Sequence, residues 1–132
     1  MEESGALIFA AFGLAAVAGL AHYIRHATAN GSLGRNSAIG LRTRITKSSD
    51  AAWMEGHREA APWLTVCAVT GYVISVLTTG VAVVALSMGS VGSAVVILPA
   101  SGFMAVIVIL VIAAIVAGKG GKDAVNNCPE KR

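Results

Sequence analysis

Charge is what this sequence has least of: only 13% of its 132 residues are Asp, Glu, Lys or Arg, against 55% hydrophobic ones. From Leu64 to Ala117 there is no ionisable Asp, Glu, Lys, Arg or His at all. A small water-soluble domain needs more polar surface than that, and a run of this length exceeds any soluble core helix. Cysteine is scarce too, with Cys67 in an apolar run and Cys128 near the C-terminus. No CxxC or Cys/His spacing occurs, which argues against a structural zinc or iron–sulfur centre, and both thiols are expected to be free. An enzyme would need a nucleophile–base pair, paired carboxylates or a metal at a shared site. Thr43, His57 and Glu55 fall in one segment, but no catalytic spacing joins them, so neither an enzyme nor a cofactor is expected.

What is present is three long apolar runs, and the fold class they predict is an all-α membrane protein. Gly5 to Ile24 is about the ~20 residues that cross a hydrocarbon layer. A signal peptide would begin with positive charge, whereas here Glu2 and Glu3 precede the run and Arg25 follows it. The run is therefore expected to stay as a span, although Ala27-Thr28-Ala29 has the small-x-small look of a cleavage site. The longer stretch divides at Ser87-Met88-Gly89-Ser90-Val91-Gly92-Ser93, which gives spans over about 64–86 and 94–117. Each is roughly 35 Å long, enough for a ~30 Å core with some tilt. Pro99 should kink the third helix or mark its first turn.

Basic residues orient these spans. Arg25, Arg35, Arg42, Arg44, Lys47 and Arg58 fall in the segment between spans one and two, and Lys119, Lys122, Lys131 and Arg132 fall in the tail. The turn between spans two and three has none. Because Lys and Arg in short loops are retained in the cytoplasm, the N-terminus is expected outside, with the loop 25–62 and the tail 118–132 inside. Tyr23 and Trp63 then sit at the headgroup level, where amphipathic rings are favoured.

Small residues recur at four-residue spacing: Ala11, Ala15 and Gly19 in the first span, Gly71, Ser75 and Thr79 in the second, Ala113 and Ala117 in the third. Such stripes allow close helix approach in lipid. They serve either packing within this bundle or docking of another membrane subunit.

The segment 25–62 holds most of the chemistry. Asn30-Gly31-Ser32 and Gly34 read as a turn, and Asn36 to Lys47 as an ordered loop. Ser48 or Ser49 is placed to cap a short helix running to about Ala61, with Asp50 in its first turn and Pro62 separating it from span two. Trp53 and His57 share one face of that helix, and Glu55 can pair with Arg58. With Trp53 and alanines on one side and charges on the other, it reads as an amphipathic helix lying along the inner membrane surface.

Asn36-Ser37-Ala38-Ile39-Gly40-Leu41-Arg42-Thr43, followed by Thr46, Ser49, Trp53 and the pair His57-Arg58, resembles the signature loop of the SdpI family of bacterial membrane proteins. About a quarter of the chain carries the likeness directly, and the flanking spans agree in arrangement. Relatives usually have Pro after the Arg-Thr pair, where this chain has Arg44. The resemblance implies a non-enzymatic, multi-pass protein of the bacterial cell membrane, acting through binding in immunity to a secreted peptide or in membrane signalling. It implies Asn36, Gly40, Arg42, Thr43, Thr46, Trp53, His57 and Arg58 as partner-binding candidates, the partner being a soluble cytoplasmic protein or other membrane-protein subunits.

Other readings weigh against this one. Arg42 can instead pair with Glu55 or Asp50 and pin the loop to its own helix, with Asn36 and Thr43 tying up backbone groups. The six basic residues of the loop can bind anionic membrane lipid. An accessory subunit of a respiratory or transport assembly would use Ala11, Ala15, Gly19, Gly71 and Ser75 as its docking face. His22 and His26, four apart, share a helical face as two metal ligands would, with His57 as a conceivable third. Nucleic-acid binding is not expected, since basic residues beside a membrane follow from topology.

Overall fold

The computed structural model describes residues 2–89 and 92–127 and is all-helical among them. Ser90 and Val91 of the expected turn, and Cys128, Lys131 and Arg132 of the expected tail, lie outside the described residues. Helix α1 runs over Glu2–Ala29, α2 over Asp50–Met88 and α3 over Ile97–Asn126, with a short 3-10 turn at Ser93–Val96 leading into α3. Pro99 occupies the first turn of α3, where its missing N–H costs nothing. All three helices are long and apolar enough to cross a membrane. Their outward faces carry large apolar side chains such as Phe9, Phe12, Val76 and Ile97, the reverse of a soluble bundle.

The sequence-based reading of a separate amphipathic helix is overturned. Residues 50–88 form one helix of 39 residues with Pro62 in its interior. Pro62 removes one backbone donor and opposes the carbonyl four residues earlier. Ala60 and Leu64, on either side of it, are fully buried against the neighbouring helices, and packing of this kind holds a helix through a proline. Nor does Trp53 lie against lipid: it is 2% exposed. At ~1.5 Å per residue α2 is about 58 Å long, nearly twice a ~30 Å hydrocarbon core. Its first turns, which carry Asp50, Glu55, Arg58 and Glu59, are the part that lies outside the apolar run. Of the expected tail, residues 118–126 continue α3 helically, and Gly120 and Gly121 are buried.

α2 is the central helix, packed along α1 on one side and α3 on the other, while α1 and α3 touch little. It approaches α1 closely at Gly71, where an added Cβ would stand 2.8 Å from the Ala18 Cβ. One turn on, the Ser75 hydroxyl donates to the Ala11 carbonyl at 2.8 Å. Ala11, Gly71 and Ser75 are thus buried in this interface, and Ala113 and Ala117 are buried on α3. Ala15 and Gly19 are only half-buried, and Thr79 is exposed. The buried row of α1 runs instead through Leu7, Ala11, Leu14, Ala18 and Ala21.

Candidate functional site

The 20 residues between α1 and α2 close over the ends of the helices, and each step of this segment has a local cause. α1 ends where Gly31 takes φ +78, a left-handed value that glycine adopts without a steric penalty. The Leu33 N–H then returns to the Ala27 carbonyl at 3.0 Å, and the Asn30 side chain accepts from the Ser32 N–H. This turns the chain inward and buries Leu33. At the far end Ser49 caps α2, its hydroxyl accepting from the Ala52 N–H at 3.1 Å. Asp50, in the first turn, pairs with Arg35 at 3.3 Å.

Between those ends the loop is fastened to α2 by side chains that point inward. The Trp53 indole N–H donates to the Leu33 carbonyl at 2.9 Å. The Leu41 N–H donates to Nε2 of His57 at 2.9 Å, and Nδ1 of His57 lies 2.8 Å from the Trp53 carbonyl. An imidazole that accepts at Nε2 carries its proton on Nδ1, so the ring is neutral and both nitrogens are used. Burial lowers the pKa of His57 from its ordinary 6.5, outweighing the upward effect of its bond to the Trp53 carbonyl. The Trp53 and His57 rings stand 4.2 Å apart. On the other side of Leu41, its carbonyl accepts from the Thr46 hydroxyl at 2.7 Å, while the Thr43 hydroxyl accepts from the Thr46 N–H at 3.1 Å.

Glycines make these approaches possible. Gly40 has φ +128, and a Cβ there would fall 2.6 Å from the Trp53 ring. Gly56 is the crossing point of three elements, where a Cβ would lie 2.6 Å from the Ala117 carbonyl oxygen and 2.8 Å from Thr46 Cγ2. Gly120 and Gly121 of α3 accept Glu59, Ile45 and the α2 backbone in the same way.

The sequence-derived candidates therefore divide into two sets. Gly40, Thr43, Thr46, Trp53 and His57 come together in one knot beneath the loop, and Thr46, Trp53 and His57 are buried. Asn36, Arg42 and Arg58 are exposed. Arg42 pairs with neither Glu55 nor Asp50; its guanidinium donates to the Ala38 carbonyl. Arg58 pairs with Glu55 at 2.6 Å. That hydrogen bond, with the charge behind it, raises the pKa of the guanidinium. His22 and His26 stand with ring centroids 5.1 Å apart and their planes tilted by 55°, but His57 does not join them as a ligand, because both its nitrogens are bonded elsewhere. Sequence reasoning missed Gly56, Leu33 and the Gly120-Gly121 pair. A glycine inside a helix, unfavourable by roughly 0.5–1 kcal/mol, was the available signal for the first and last.

The model of the SdpI/YfhL protein family matches residues 32–118. The chain belongs to this family. The matched stretch starts in the turn after α1 and takes in the fastened loop, all of α2 and most of α3, so the knot of Gly40, Leu41, Thr46, Trp53 and His57 lies wholly inside the SdpI/YfhL region. No curated protein and no solved structure matches the chain.

Proposed function

We propose that this SdpI-family protein works by binding rather than catalysis, at the inner face of a bacterial cell membrane, in immunity to a secreted peptide or in membrane signalling. The observation that carries the reading is the division of the signature residues. The buried set spends its polar atoms on holding the loop, leaving Asn36, Arg42 and Arg58 directed outward from a rigid base. Preorganised exposed polar groups lose little entropy on meeting a partner.

The loop 25–62 faces the cytoplasm in this reading, because all ten Lys and Arg residues fall on the segments that the positive-inside rule retains there. Docking as an accessory subunit through the small-residue stripes is less favoured, since Ala11, Gly71 and Ser75 are already occupied by packing between α1 and α2.

A photo-crosslinking residue at Arg42, introduced into the protein in native membranes, tests the proposal. Capture of a soluble cytoplasmic protein or of a peptide, lost in Arg58→Ala, supports it. Capture only by crosslinkers placed on the outward faces of α1 and α3, with an integral membrane protein as the product, favours the subunit reading instead.

A further inference from the structure

A cavity of about 350 Å³ opens between the end of α1 and the first turns of α2. That volume is near the lower end of the ~300–1,000 Å³ of small-molecule sites. Arg25 and His26 line it from α1, and Glu55, His57 and Arg58 from α2, with Met54 and Ala61 among its apolar walls. We infer that this cavity binds the phosphate-bearing headgroup of an anionic phospholipid, with Arg25 and Arg58 as its cationic contacts.

Three observations carry the assignment. First, the cavity sits at headgroup depth: Arg25 directly follows the apolar run of α1, and Ala61 lies just before Pro62 and Trp63, which lead into the apolar run of α2. Side chains at this level meet lipid phosphates before they meet cytosolic solutes. Second, the available charge is positive. His57 is neutral, and Glu55 is already paired with Arg58. Among the described residues Arg25 has no carboxylate partner. A planar guanidinium presents paired donors that match phosphate oxygens. Third, the cavity backs onto His57, the residue that holds Leu41, so an occupant would touch the fastening of the loop. The inference requires membrane insertion but not the partner-binding reading above, and the two can fail separately.

The test uses the full chain in nanodiscs, with native mass spectrometry of the lipid retained on release. In phosphatidylglycerol discs the protein should retain that lipid, and in phosphatidylcholine discs it should retain little. Arg25→Gln and Arg58→Gln should each lower retention about fivefold, the equivalent of ~1 kcal/mol for one basic residue at an anionic surface. Arg25→Lys should restore part of the loss. Lys47→Gln, which removes the same charge outside the cavity, should lower retention clearly less than Arg25→Gln. Glu55→Gln should raise retention, since it removes the nearer of the two carboxylates on Arg58 and leaves only Glu59 at 3.9 Å. Equal losses in Lys47→Gln and Arg25→Gln would show diffuse attraction and overturn the site. Displacement of the lipid by millimolar inorganic phosphate would overturn the lipid assignment in favour of a soluble phosphate. Circular dichroism of each variant identifies any that has lost its helices, and the Glu55→Gln gain keeps the inference falsifiable should Arg58→Gln misfold.

Discussion

The Leu41 amide and the His57 ring, sixteen residues apart in sequence, are joined by a 2.9 Å hydrogen bond in which the backbone donates and Nε2 accepts. This bond needs an unprotonated Nε2. A doubly protonated imidazole has two donors and no acceptor, so it would turn an attraction into a clash of donors beneath the loop.

The docked loop should therefore loosen in acid. Burial depresses the pKa of His57 below 6.5 in the folded protein, while an undocked ring titrates near that value. Between the two, the undocked state holds more protons, so docking is complete above pH 6.5 and weakens as the pH falls toward the folded value. Protection factors of loop amides, measured on either side of pH 6.5 and corrected for intrinsic exchange, should show the decline. In His57→Gln the same profile should be flat across that window.

Gly40→Ala should be the most damaging single methyl addition in the loop. It forces φ +128 on a residue with a Cβ and sets that Cβ 2.6 Å from the Trp53 ring. A loss of about 1–3 kcal/mol is expected from strain and overpacking together. Gly34→Ala, whose Cβ meets nothing within 4 Å and whose backbone is not left-handed, should change stability by less than ~0.5 kcal/mol. Thermal denaturation of both in one detergent makes the comparison.

Within the bundle, Gly71→Leu should separate α1 from α2, because even a methyl there would stand 2.8 Å from the Ala18 Cβ. Ser75→Ala removes only the bond to the Ala11 carbonyl and should cost about 0.6 kcal/mol, the average for hydrogen bonds between membrane helices. Double electron–electron resonance between labels on the two helices should lengthen in the first variant and stay unchanged in the second.

The three apolar helices were legible in the sequence because hydrocarbon demands an uninterrupted run, and nothing about neighbouring contacts is needed to read one. The cap, expected at Ser48 or Ser49 and found at Ser49, the turn at Gly31 and the pairing of Glu55 with Arg58 were legible for a similar reason, since each depends on residues within a few positions. The continuity of α2 through Pro62 was not, because what holds the helix there is burial of Ala60 and Leu64 against other helices. The same limit applied to the small-residue stripe of α1. Ala18 is buried there while Ala15 and Gly19 are only half-buried, a matter of helix rotation that four-residue spacing alone does not determine. The motif around Gly40 and His57 was visible as a pattern, but its division into inward fasteners and outward groups required the fold.

Hydrogen exchange at the single amide of Leu41, followed by NMR in detergent micelles, tests most directly whether the signature residues fasten the loop to α2. Strong protection in the wild type is expected, falling about 10- to 100-fold in His57→Ala, as removal of a buried partner worth ~1–3 kcal/mol requires. A Leu41 amide that exchanges as fast as that of the exposed Gly34, or one whose protection survives His57→Ala, would contradict the account.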